Sequence, residues 1–248
     1  AASDVYKRQA NTQATALADD GSAKPEVAID VAALGGMYAG KIKLVGTEAG
    51  VGVRNAGQIG AMAGDVVVSA DGKLVNQGAI SSASALQVAA AAVENSGSAY
   101  AKGSLEVTSA GSVTNSGVLA GQGDVNIQAA TLSNSKASLL AAGVDSAGKS
   151  SGHARLQARA EQIAANGQVH ASGTLDLQGK NIDLHGSQTQ AGDMRLNATQ
   201  GDLDLADSQI NSAGTLNASA SGTLRSDSAK VNVGNLQLTA RHIANVGG

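Results

Sequence analysis

Four groups of residues in this sequence have types and spacings that could do chemistry. The first is Gly143-Val144-Asp145-Ser146-Ala147-Gly148-Lys149-Ser150, which matches the phosphate-cradling pattern G-x-x-x-x-G-K-S/T. Such a loop holds phosphate with backbone amides and its lysine, and it needs a strand before it and a helix after it. Leu139-Leu140 is a candidate strand and residues 154–165 a candidate helix, but nothing else alternates strand and helix as a nucleotide fold requires. The match reads as a loop rich in Gly, Ser and Lys. The second group is Asp176, Asp183, Asp202 and Asp204. Paired carboxylates on one face would suit a polysaccharide lyase or hydrolase. Sugar-cleaving clefts usually add aromatic platforms, however, and no aromatic follows Tyr100. These aspartates read as a hydrophilic outer wall.

The histidines form the third group. His153, His170, His185 and His242 show neither H-x-H nor H-x-x-x-H spacing, and Asp183 two residues before His185 is ordinary strand alternation. The calcium-binding nonapeptide is absent. The fourth group is Asp65, Asp124 and Asp193, each directly after a glycine, in a slot that Ser104, Thr174 and Asn235 fill elsewhere. That substitution set is turn chemistry. The expectation is therefore no catalytic, cofactor-binding or metal-binding residue, no cofactor, and no enzyme; a carbohydrate-active β-helix enzyme is the alternative.

The elements that must carry these residues are unusual in composition. The 248 residues include 32 Gly, one Pro, three Tyr, and no Phe, Trp or Cys. A core built without large rings, from Leu, Val, Ile and Ala, suits a narrow interior. The net charge of -3 comes from 17 basic and 20 acidic residues. That balance leaves no single-sign face for nucleic acid, and three tyrosines are no stacking platform. No apolar run approaches the roughly 20 residues of a membrane-spanning helix. Without Cys there is no disulfide or thiol chemistry, which fits an exported bacterial protein. Residues 1–9 have no apolar signal region, and no Met starts the chain, so it reads as an internal fragment.

One motif recurs: glycine, a small polar residue, then apolar–x–apolar. It appears at Gly64-Asp65-Val66, Gly103-Ser104-Leu105, Gly123-Asp124-Val125, Gly173-Thr174-Leu175, Gly192-Asp193-Met194 and Gly234-Asn235-Leu236. The first apolar slots read as 66, 86, 105, 125, 154, 175, 194, 216 and 236, with one long step of 29 among steps of 19 to 22. Half a period later comes an apolar residue followed by Asn near Gly or Ser, with Asn55, Asn76, Asn95, Asn115 and Asn134 spaced 21, 19, 20 and 19 apart. Alternation is the strand period, so Leu175 and Leu177 should face in while Asp176 and Gln178 face out. Glycine permits the positive φ of a corner, and stacked Asn amides can bond along the axis as a ladder. A 20-residue period holds two or three short strands, each pairing in parallel with its equivalent one coil away. The predicted fold is all-β, a right-handed parallel β-helix of about ten repeats of about 20 residues. Residues 154–165 alone would suit a helix, but their fit to the repeat register outweighs that.

Four segments follow. Residues 1–26 are a non-repeat segment or linker, 27–135 are β-helix repeats, 136–152 are a loop interrupting them, and 153–248 continue them uncapped.

Residues 33–53, ALGGMYAGKIKLVGTEAGVGV, resemble a hallmark stretch of the filamentous haemagglutinins and the related contact-dependent growth-inhibition exoproteins of Gram-negative bacteria. The downstream repeats are similar to the shaft repeats of that family, so the resemblance covers about residues 27–248. It implies a secreted structural rod on the bacterial cell surface, serving adhesion or toxin presentation. Its implied partners are an outer-membrane β-barrel transporter of a two-partner system and, through other parts of the protein, receptors on host or neighbouring cells. The secretion domain, receptor-binding segments and any toxin tip are expected to lie outside this chain.

Overall fold

The computed structural model describes residues 27–32 and 35–245. The segment 1–26 lies outside the described residues, as do Ala33 and Leu34 of the hallmark stretch. The described residues form a β-solenoid of about 11 turns, repeating about every 20 residues. Every pairing between its 25 strands is parallel.

One coil shows the plan. Strands Leu105–Ser109, Ser112–Asn115 and Val118–Gly121 make three walls in succession. Leu105 pairs with Leu86 in the coil before and Val125 in the coil after. Val113 lies between Val93 and Leu132, and Leu119 between Ala99 and Leu140. Alternation decides which side chains enter. On the first wall Val66, Leu86, Leu105, Val125, Leu156, Leu175, Met194 and Leu216 stack inward, none more than 1% exposed. The paired inward slots stack Leu177 on Leu196 beside Leu175 on Met194. Each such side chain contributes about 2 kcal/mol by burial. Opposing walls meet across branched aliphatics and alanines, which leaves no room for rings.

The asparagines form the expected ladder at the end of the second wall. Asn55 Nδ2 donates to Asn76 Oδ1 at 2.8 Å, Asn76 to Asn95 at 2.6 Å, Asn95 to Asn115 at 2.7 Å and Asn115 to Asn134 at 2.8 Å. All five side chains are buried. Beyond Asn134 the corner turns apolar, with Ala165, Leu184 and Leu205. Asn166, one residue past that corner, bonds outward to Asp183 Oδ1 and His185 O.

Three expectations need correction. The first slot of the long step is Leu156, not Ala154: Leu156 pairs with Val125 on one side and Leu175 on the other. Ala154 is also buried. A slip of two residues preserves the in–out parity, so the pattern alone admits both registers. The segment 154–165 is strand, as its register indicated, in Leu156–Arg159 and Gln162–Ala165. Second, the interruption is shorter than 136–152. Leu139–Ala142 is a third-wall strand paired with Val118–Gly121 and Gln168–Ala171, so the chain leaves the coil only after Ala142. Third, the corner glycines do not have positive φ: neither the motif glycines Gly64, Gly103, Gly123, Gly173, Gly192 and Gly234 nor Gly57, Gly78, Gly97 and Gly117 just past the asparagines. The latter stack so closely that a Cβ on Gly97 would lie 2.0 Å from the Gly78 carbonyl oxygen. Close approach between coils, not a left-handed turn, demands glycine there.

Candidate functional site

The place where the chain leaves the coil is a hairpin. Val144 and Ser150 form an antiparallel bridge. Asp145 N donates to Lys149 O and Gly148 N to Asp145 O, both at 2.9 Å. Gly143, Gly148 and Gly152 adopt φ of 72°, 76° and 72°, the left-handed turns that let the segment reverse in so few residues. The Asp145 carboxylate accepts the backbone amides of Ala147 and Lys149, each at 2.9 Å. In a phosphate loop those amides would face an anion from outside. Here they hold a carboxylate of the chain itself, and a strand follows where a helix is needed.

The hairpin is pinned to the outside of the third wall. Tyr100 Oη donates to Val144 O at 3.3 Å, and Ser150 Oγ lies 2.7 Å from His170 Nε2. Gln122 Nε2 donates to Ser151 Oγ, and Ala154 N to Ser172 Oγ. Val144 is buried against Ala120 and Ala141, flanked by Tyr100, Val118 and Leu139. This is a second small apolar cluster, built outside the solenoid. A concavity of about 460 Å³ on one flank is walled by outward amides including Gln168, Gln188, Gln190 and Asn211, with His170 among them. Burial there holds the His170 imidazole pKa below its usual value. A second concavity, about 350 Å³, lies between the hairpin and Tyr100.

The four aspartates do not converge. Asp176 is on the first wall, paired with Arg155 and accepting from Gln157 Nε2 at 3.2 Å. Asp183 and Asp204 are neighbours one coil apart on the second wall. Asp183 accepts His185 N at 2.8 Å, and Asp204 accepts Ala206 N at 2.8 Å with Arg225 at 3.7 Å. Asp202 sits at the preceding bend, where its carboxylate accepts Thr223 N from the next coil at 2.6 Å. The histidines are equally dispersed. His153 is in the excursion, His170 on the third wall and His242 in the last strand, while His185 Nε2 lies 3.8 Å from Asp207 Oδ2. Among the described residues no group of three or more metal-ligating side chains could hold an ion.

The aspartates after the glycines do something that turn chemistry did not anticipate. Asp65 accepts Ala85 N at 3.1 Å, Asp124 accepts Arg155 N at 2.8 Å and Asp193 accepts Thr215 N at 2.8 Å. Each carboxylate clips an amide of the next coil, where the chain bends away from its ladder. Lys41, bonded to Asp65 at 2.9 Å, together with Ser84 and the Ala85 amide, lowers the Asp65 pKa to about 2. The recurrence of Gly-Asp at one slot was the sequence signal for these clips. Tyr100 carried no such signal, since its partner Val144 is 44 residues away.

Comparison with known proteins places this geometry. A family model described as haemagglutinin repeat matches residues 9–117, 85–149, 150–207 and 202–248. The chain is 46% identical over 248 residues to a Yersinia pestis protein named toxin CdiA, covering 99% of the chain and 7% of that protein. It is 40% identical over 223 residues to tRNA nuclease CdiA-2 of Burkholderia pseudomallei, 89% of the chain and 7% of that protein. Over 99 residues it is 43% identical to 16S rRNA endonuclease CdiA of Enterobacter cloacae, 40% of the chain and 3% of that protein. The chain thus spans less than a tenth of these relatives' length. No solved structure matches it.

Proposed function

This chain belongs to the haemagglutinin-repeat family, and we propose that it is a stretch of stiff shaft in a bacterial exoprotein exported through a dedicated outer-membrane β-barrel partner. The parallel pairing of equivalent strands through about 11 coils carries this reading. Stiffness in a solenoid comes from nearest-neighbour ladders, and here each coil is tied to the next by strands, an aliphatic stack, and amide or carboxylate clips. Such a segment does no chemistry. It fixes the distance between the cell surface and whatever the longer protein carries. Two relatives are named nucleases, and we place any such activity outside the stretch they share with this chain. No helix among the described residues is long and apolar enough to cross a membrane, and the shaft reading needs none.

Display of the longer protein, with an epitope inserted between Ser146 and Ala147, tests this. The epitope should reach the surface of intact cells only when the transporter is present, and the purified 248-residue chain should cleave no polysaccharide. Surface display without any transporter would remove the two-partner reading. Polysaccharide cleavage abolished by Asp176→Asn or Asp204→Asn, with the fold intact, would replace the shaft with a carbohydrate-active enzyme.

A further inference from the structure

The hairpin leaves a surface that a shaft does not require. The concavity of about 350 Å³ beneath it is lined by Tyr100, Val118, Ala120, Leu139, Val144 and Asp145, among others. Outward slots of the third wall are polar further along the chain, at Gln168, Gln188 and Gln209. In the two coils under the hairpin the same slots hold Val118 and Leu139, and the next ones Ala120 and Ala141. The floor is therefore apolar. The half-buried Tyr100 ring is fixed there by its hydroxyl bond to Val144 O.

Asp145 is the charged side chain on this lining. Its Oδ1 is committed to the amides of Ala147 and Lys149. Among the described residues no cation pairs with its carboxylate. Its charge reaches the ring: the Tyr100 phenol pKa is raised first by burial and then by Asp145. The concavity thus combines an apolar floor, an aromatic ring and one negative charge that has no cation partner among the described residues.

We infer that this concavity receives an arginine side chain from a partner protein, its stem on Val118 and Leu139 and its guanidinium between Tyr100 and Asp145. A purely apolar group would strip water from the carboxylate without replacing it. An anion would meet a like charge. A guanidinium matches both features, because it is weakly hydrated, stacks on aromatic faces and bonds carboxylates. The site is made by the hairpin and the third wall beneath it, and it does not rest on the shaft reading.

The chain has three Tyr and no Trp, so the Tyr100 ring resonances can be followed by NMR in the 248-residue protein. The probe is a capped Gly-Arg-Gly peptide, with a citrulline peptide of the same shape as the uncharged control. The arginine peptide should shift Tyr100 saturably and bind about tenfold more tightly than the citrulline peptide. Asp145→Asn keeps an oxygen for the Ala147 and Lys149 amides, and it should remove that preference while hydrogen exchange at those amides stays slow. Ser146→Asp adds a charge at the rim and should tighten the arginine peptide severalfold. An unshifted Tyr100, equal binding of the two peptides, an arginine preference that survives Asp145→Asn, or no gain from Ser146→Asp would each overturn the inference.

Discussion

Asn95 is bonded on both sides within a buried column. It accepts from Asn76 Nδ2 at 2.6 Å and donates to Asn115 Oδ1 at 2.7 Å and Val118 O at 2.9 Å. Asn95→Ala takes one hydrogen bond from the buried amide on each side, which costs about 2 kcal/mol. Asn95→Asp keeps the acceptor but loses the donor and buries a charge, so it costs more, several kcal/mol. Urea denaturation should rank the two in that order; equal midpoints for the three proteins would mean the ladder is ornamental. Asp65 offers a different probe. Its pKa is lowered from 3.8 to about 2, so its folded-state advantage is complete above about pH 4 and is lost as pH falls towards 2. Hydrogen exchange at the Ala85 amide, which Asp65 holds, should accelerate beyond the intrinsic pH trend across that window. Lys41→Met removes the first cause of the shift and should move the acceleration to higher pH. No change with Lys41→Met would mean the ion pair does not set the titration.

At the level of strands, the inward slots carry the fold. Leu177 is fully buried and stacks on Leu196 one coil further and Ala158 one coil before. Leu177→Asp places an unpaired charge among aliphatics, at a cost of several kcal/mol. In a solenoid that damage stays mostly with nearest neighbours. Hydrogen-exchange protection should therefore fall first in about residues 150–210, while the ladder from Asn55 to Asn134 stays protected. Uniform loss along the chain would show one all-or-none unit instead. What could be read from the sequence follows the same logic. The period and the facing of Leu175, Leu177, Met194 and Leu196 were legible because alternation encodes them locally, and the spacing of the asparagines encoded their ladder. The register at Leu156 was not, because Ala154 shares its parity. The start of the excursion was hidden because Leu139-Leu140-Ala141-Ala142 has no alternation: its outward residues face the hairpin's own apolar cluster. The recurring Gly-Asp slot marked the aspartates of the clips but not the amides they hold 20 to 31 positions away, and nothing marked the Tyr100 contact, whose partner is 44 positions away.

Across the whole molecule, the interchangeability of coils is the property that a shaft exploits. Coils spaced by about 4.8 Å make the 11 turns a rod roughly 50 Å long. Each coil buries its columns against the two beside it. In the last described coil the columns continue through Val231, Leu236 and Ile243, which are 36%, 49% and 53% exposed, because no further described coil covers them. If a coil's only structural duty is to pair with equivalents, whole coils can be removed in register. Deleting residues 175–215 brings Leu216 into the slot of Leu175, against Leu156, and places Leu224 on Ile163 and Val231 on Val169. The product should keep a parallel-β circular dichroism spectrum, shorten by about 10 Å in small-angle scattering, and still support export of the longer protein. Deleting residues 175–184 instead removes half a coil. It sets the third-wall residues Gln188–Ala191 against the first wall and breaks the pairings that cross the junction. That variant should lose protection on both sides of the junction and be exported poorly. Equal tolerance of the two deletions would mean that coil register contributes nothing to the rod. Failure of the in-register deletion alone would mean that residues 175–215 carry a specific function beyond spacing.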